Sequence, residues 1–402
     1  MANTNVGAML DILKKAAIPG GPSALSVKTY LKPAGGFDRL VAPARYALEN
    51  KGGSTYVFET RFVRESDAEV PSARTTVLLD SRESNANRLE EAIASLAENG
   101  DSVFARMPKI KVTYSRDDAD DTLELYDYEL PHRAYDAHIR TAVFSGSDSP
   151  DAKDRYKALR KATIKNAGPL LNESPITILL GGWDSHGGKA KFPSLVVGET
   201  YGVLPGEYAT TEQAEESIRR RSGARIDPVS ASFGEKLAKE TVEIITDGTV
   251  AKATKPSELG LGSIPPGLKT VDGVAVSQIV RHNVLQFGAV RRLHFGKGVE
   301  GDAAIRTLLS AMAIDVMVRA NDNLFLRANA QLVVDSEKQS LWVIDDAEVA
   351  CPALSPQEAD ELLEIAYDEA VEAGAVDWSE PHVFEVSGYK DLLEAAEDQE
   401  RE

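Results

Sequence analysis

A chain of 402 residues, 43% hydrophobic and 27% charged, holds enough apolar sequence for one large or two ordinary globular domains, and is neither disordered nor of low complexity. Its single cysteine, Cys351, excludes an intramolecular disulfide and, with no repeated Cys/His spacing, a structural zinc site, so a reducing cytoplasm is the expected compartment. The net charge of −18 argues against a nucleic-acid partner only as an average, because residues 351–402 carry 16 acidic and 2 basic residues and residues 1–350 are left with 43 basic against 47 acidic.

Residues 5–16 read as a helix; Asp11, Lys14 and Lys15 interrupt what would be the core of a signal peptide, and no later stretch has the ~18 apolar residues of a membrane span. SVKTYLKPAGG then reads as a short strand and loop, and 54–64 and 74–80 as two pairing strands rich in β-branched and aromatic residues. The second runs into SRESNANRLEEAIASLAENG, where Leu89, Ile93, Leu96 and Ala97 share a helical face, Asp80 and Glu83 have capping-box spacing and Asn99-Gly100 supplies the stop. Segment 109–128 reads as a hairpin around RDDADD, and PHRAYDAHIRTAVF and DAKDRYKALRKATIKNAG as helical. PITILLGGW (175–183) reads as an apolar strand ending in the loop DSHGGKAKFP, with SLVVGETYGV a further strand. From about 206 to 270 the polar, Gly/Pro-punctuated sequence predicts an extended insertion. Beyond it come a helix at 302–320, with Ile305, Leu308, Leu309, Met312 and Val316 on one face, strands at 331–335 and 340–345, and an acidic amphipathic helix at 357–373. The irregular alternation of strands and helices points to an α+β sheet with large insertions.

Positive charge is clumped. Segments 102–116, 217–225 and 281–297 each hold four Lys/Arg and no acid, and 151–165 holds six basic residues against two acidic. Each clump alone reads as a solvated face; three acid-free islands together suit an anionic partner equally well. FGKGVEG spells G-x-G-x-x-G at Gly296, Gly298 and Gly301 before a helix, either a flexible turn or a phosphate-facing loop, but the approach AVRRLHF is no buried Rossmann strand. In GGWDSHGGKAKF the P-loop spacing fails, with Trp183 where a glycine is needed and Ala190 where Ser/Thr would hold magnesium. Trp183, His186, Lys189 and Lys191 are nonetheless the types that stack bases and neutralise single-stranded backbone, with a core anchor the alternative for Trp183. His132, His138, His186, His282, His294 and His382 show no metal-ligand spacing, no serine sits in a nucleophile elbow, and Asp345-Asp346 is a strand end with only a remote metal reading. No catalytic residue, metal or cofactor is expected.

DSRESNANRLEEA (80–92), ILLGGWDSHGGKAKFPSLVVGE (178–199), KPSELGLGSIPPG (255–267) and HNVLQFGAVRRLHFG (282–296) occur in this order with long spacers. The ordered set resembles the type I-U (I-G) branch of the CRISPR-associated backbone RAMP proteins, over roughly residues 25–346. The resemblance implies a modified ferredoxin-like (RRM-like) antiparallel sheet with thumb and fingers insertions, here within about 101–270 of a body spanning 1–350. An acidic, mainly helical extension, 351–402, lies outside it. It further implies a non-enzymatic, cytoplasmic subunit that coats CRISPR guide RNA head to tail with copies of itself. Other effector subunits would accompany it, and target DNA would be read by base pairing. Ser81, Asn85, Asn87 and Arg88 would contact the RNA backbone, Asn283, Arg291 and Arg292 would bind phosphates, and Lys297 would lie near the glycine loop. No motif places the loop Asp with which some backbone subunits cut RNA. The alternatives are a nucleotide- or phosphate-binding enzyme using Gly296–Gly301, and a scaffold in which basic islands meet acidic tails of neighbouring copies.

Overall fold

The computed structural model describes residues 4–48, 54–63, 71–98, 100, 102–115, 122–145, 151–188, 190–205, 210–216, 218–226, 236–248, 250, 252, 254–322, 324–345, 351–380 and 382–392. Its centre is an antiparallel sheet of seven strands: β1 (Leu25–Pro33), β2 (Phe58–Val63), β3 (Ser72–Asp80), β4 (Val196–Val203), β5 (Gln278–Leu285), β6 (Leu332–Val334) and β7 (Leu341–Ile344). The order is β6-β1-β5-β4-β3-β2, with β7 lying beside β6 along the same edge of β1. The long pairs are in simple register, Val27 opposite Asn283 and Asn283 opposite Gly198.

Alternation sorts the two faces. In β1, Leu25, Val27, Thr29 and Leu31 are buried while Ser26, Lys28, Tyr30 and Lys32 are half-exposed on the other side. The buried face is covered by α2 (Arg82–Glu98), which packs on β4, and α3 (Gly298–Arg319), which packs on β5. Helix α3 is enclosed all round, with buried side chains from Ile305 to Val318, because α1 (Thr4–Ala16) and α4 (Pro356–Glu372) close over its far side. The acidic extension is thus built into the core through Leu362, Leu363, Ala366 and Tyr367, and its strand Val383–Ser387 joins Lys109–Ser115 in parallel. Lys109–Ser115 also pairs with Thr122–Tyr126 as the expected hairpin, whose turn lies outside the described residues.

The expected apolar strand at 175–183 is different in the structure. Pro175–Leu180 is a fully buried helical turn with Pro at its start, and only Gly182–Trp183 is extended, paired with Lys191–Phe192. Segment 206–270 contains the helices Thr211–Glu216 and Lys239–Ile245 and a ribbon in which Arg219–Ser222 pairs with Gly267–Gly273. Among the described residues no helix is long and apolar enough to cross a membrane.

A buried acid lies where α3 meets α4. Asp315 is 1% exposed, its carboxylate oxygens lack hydrogen-bond partners, and Arg319 stands 3.8 Å away while bonding Asp360 of α4. Burial first, then repulsion from Asp360, pushes the Asp315 carboxyl up to about 8. A carboxyl raised in the folded state binds its proton more tightly there than in the unfolded chain. Its stabilising contribution is therefore complete below the ordinary value of 3.8 and is lost as pH rises through about 8. Asp315→Asn is expected to flatten that decline and to gain on the order of 1–3 kcal/mol over the parent above about pH 8, measured by urea unfolding across pH. An unchanged pH profile would show that Asp315 does not titrate there.

Candidate nucleic-acid interface

The loop after Pro175–Leu180 is held open by a buried acid. Asp184 is 3% exposed and accepts from Arg160 Nε at 2.5 Å and from the His186 amide at 3.0 Å. Burial works to raise its carboxyl, yet the Arg160 guanidinium and the His186 amide hold it below the ordinary carboxylate range. Gly188 gives Asp184 room: a Cβ there would meet Asp184 Oδ2 at 1.8 Å. This scaffold, with the short ribbon, projects Trp183 outward at 62% exposure, and Lys191 Nζ lies 5.6 Å from its ring.

Trp183 and Lys191 stand on the rim of a cleft of about 650 Å³ that Arg292, His132 and Arg133 also line. The floor is apolar, made of Ile164, Ile178, Leu180, Phe192, Leu195 and Leu293. Two segments about 100 residues apart in sequence thus bring an exposed indole and two exposed cations, Trp183 with Lys191 and Arg292, to one concave surface. Lys161 and Lys165, both exposed, flank Ile164. His186 is exposed beside the cleft, its Nδ1 2.9 Å from Ser185 Oγ, and Lys189 lies outside the described residues.

The other expected contact residues divide sharply. Asn85 and Asn283 are each 1% exposed and bonded to one another at 3.3 Å, with Asn85 Oδ1 accepting from Arg281, so both serve the sheet–helix interface instead of an open surface. A Cβ on Gly198 would meet Asn283 Oδ1 at 1.8 Å, so that glycine is what admits the network. Arg88 is folded against Glu91 at 2.8 Å, and Ser81 Oγ accepts from the Ser84 amide at the start of α2, while Asn87 is exposed. Arg291 is spent on the main chain, donating to Ala16 O at 3.0 Å and to Pro22 O, which ties the end of α1 to the turn after β5. Lys297 is exposed at the start of α3.

The glycine loop has an internal anion. Asp302 Oδ1 accepts from the Phe295 amide at 3.2 Å and the Lys297 amide at 3.0 Å, and Arg306 lies 3.8 Å from its other oxygen. The chain's own carboxylate stands where a phosphate would have to sit, and the approach to the loop is a turn after Phe287–Val290, not a strand.

Two of the four cations of island 102–116 are already paired: Arg106 with Glu364 of the acidic extension at 2.7 Å, and Lys111 with Glu385 of the extension and Glu124 of the hairpin at 2.9 Å each. What the sequence reading missed is the sheet's outer face, where half-exposed Lys28, Tyr30, Lys32 and His282 surround buried Tyr201 and Val280. The strict alternation of LSVKTYLKP was the available signal. This face is partly self-satisfied, with Arg61 over the Tyr201 ring at 4.4 Å and bonded to Glu199 at 2.6 Å, and Lys32 3.3 Å from Asp335. The cleft is the less encumbered candidate.

No curated protein matches the chain. Residues 25–204, the stretch from β1 through β4 that includes α2, Trp183 and Lys191, match the family model described as CRISPR-associated protein GSU0053, a similarity that covers a little under half of the chain.

Proposed function

We propose that the protein is a guide-RNA-binding backbone subunit of a CRISPR effector, polymerising head to tail along the RNA and presenting it for pairing with target DNA. The observation that carries the reading is the convergence of exposed Trp183, Lys191 and Arg292 on one apolar cleft, an arrangement suited to single-stranded nucleic acid through stacking and phosphate neutralisation. The fold supports it. Taking β1, β4, β5 and the β6/β7 edge as first to fourth strands, the order is fourth-first-third-second, with α2 entering before the second and α3 before the fourth. That order supports reading the sheet as a ferredoxin-like core, with β2 and β3 added at one edge and the thumb and fingers assigned to the insertions. Sequence reading by base pairing leaves this subunit no chemistry to perform, so the role is non-enzymatic. The glycine-loop enzyme is disfavoured by Asp302, which already satisfies the amides that a phosphate would need.

The test is to purify the protein from cells expressing a CRISPR array, wash at high salt and sequence the retained RNA. Array-derived fragments protected on a large particle are expected; equal recovery of bulk cellular RNA would overturn the reading. Arg292→Ala is expected to weaken RNA binding across sequences and to lower the salt slope by about 1, while Trp183→Ala costs roughly 1–3 kcal/mol. Arg291 is left intact in these variants because its loss would also loosen α1.

A further inference from the structure

We infer that the open edge of the central sheet, strand β2, pairs antiparallel with β2 of a second copy of this chain, joining the two sheets across a two-fold axis at Thr60. This goes beyond the RNA-binding reading and does not depend on it. Among the described residues, the one strand beside β2 is β3. Val57 O accepts from the Leu78 amide, which makes Glu59–Thr76 and Arg61–Arg74 the hydrogen-bonded pairs, and Thr75, opposite Thr60, turns its carbonyl the other way to the Leu204 amide. The N–H and C=O groups of Phe58, Thr60 and Phe62 therefore point out from the sheet, with Thr60 exposed and Phe62 78% exposed. The opposite edge is closed: the outward Leu332 amide donates to Leu324 O, and the outward Trp342 carbonyl accepts from the Cys351 amide.

Free edges are ordinarily protected by Pro, Lys, a bulge or a covering element. Strand β2 has neither Pro nor Lys, and its pairing with β3 runs from Phe58 to Val63 without a register shift. The occupant follows from the residues themselves. Phe58-Glu59-Thr60-Arg61-Phe62 is aromatic at both ends and oppositely charged on either side of Thr60, so an antiparallel copy centred there sets Phe58 against Phe62 of the second copy and Glu59 against Arg61 of the second copy, and the reverse. Moving the centre to Glu59 or Arg61 sets like charges opposite one another, and a parallel in-register pair does so at both positions. Glu59 and Arg61 share the outer face, where Arg61 bonds Glu59 and Glu199 of its own chain while the Glu59 side chain stays 40% exposed. Pairing alternates the four charges across the axis and covers Phe62, the most exposed aromatic side chain among the described residues. A six-residue edge is smaller than a standard interface, so the pair is reversible, with a dissociation constant on the order of micromolar. Such a contact closes on itself and is a property of the free protein, separate from a head-to-tail array.

Sedimentation of the full-length, nucleic-acid-free protein over a concentration series is expected to show a monomer–dimer equilibrium. Thr60→Pro removes an outward amide that β3 does not use, and Phe62→Glu sets a charge opposite Phe58 of the second copy; each is expected to weaken dimerisation roughly tenfold or more at an unchanged melting temperature. Thr60→Cys tests the register. Two cysteines at the axis fall within the Cα separation of a disulfide and Cys351 is buried, so mild oxidation is expected to give a covalent dimer faster than with Val299→Cys, an exposed site away from the edge. A parent protein that stays monomeric to high micromolar concentration would overturn the proposal, and so would a dimer that survives both Thr60→Pro and Phe62→Glu, which would place the contact on another face. Assembly that requires RNA would overturn the free pair and leave the head-to-tail reading standing.

Discussion

Arg281→Ala is expected to lower the unfolding free energy by roughly 3–5 kcal/mol, the largest effect of any single substitution in the sheet. Arg281 is 1% exposed in β5, and burial pulls its guanidinium down to about 10, which leaves it charged at neutral pH. Its charge is dispersed over three acceptors from two elements: Asn85 Oδ1 of α2 at 3.1 Å, and Ala320 O at 2.7 Å and Asn321 Oδ1 at 3.4 Å at the end of α3. Truncation strands all of these in a dry interface and frees Asn85 from the geometry that holds Asn283. Urea denaturation of the two proteins at one pH is the measurement. A loss under about 1 kcal/mol would mean that water replaces the guanidinium, so that the site is wetter than its burial implies.

The second large effect concerns the acidic extension. Deletion of residues 351–402 is expected to abolish cooperative unfolding and yield insoluble protein. Leu362, Leu363, Tyr367, Trp378 and Phe384 are all buried, and at about 1.5–3 kcal/mol each their loss rivals the 5–15 kcal/mol of a whole domain. Deletion also uncovers α3 along one side and removes Glu364 from Arg106, Asp360 from Arg319 and Glu369 from Lys14. Leu362→Ala alone, at about 2–5 kcal/mol, is the graded version of the same test. A soluble truncated chain with a sharp melting transition would refute the role of α4 as a core element.

Elements with a clear period were legible in the sequence. The unit from Ser72 to Glu98 was readable because β-branched residues in β3 give way to one apolar stripe in α2, and the acidic amphipathic helix expected at 357–373 is α4, whose Ser355 capping box the reading did not use. Pro175–Leu180 was misread for the opposite reason. Every side chain in it is buried, so no polar position marks the period, and Ile-Thr-Ile suits either state. The site divides in the same way. Exposed Trp183 and Lys191 stood out on a glycine-rich loop, but nothing local distinguishes Asn85 or Asn283 as interior, since a buried amide and a phosphate-binding amide look alike until their partners are known. Arg133 belonged to a segment read as an ordinary helix, and its place in the cleft wall depends on Gly181, 48 residues away.

The way α3 is covered also sets a timetable for making the protein. Its near side rests on strands from the first three quarters of the chain, but its far side is closed by α4, which itself binds α1 through Lys14–Glu369 and Asn5–Glu358. Val383–Ser387 reaches back to pair with Lys109–Ser115. Segments more than 300 residues apart in sequence are therefore structural neighbours, and such long-range closure slows folding. A chain lacking α4 would expose one side of the apolar helix α3, so the core closes only once α4 and Val383–Ser387 are in place.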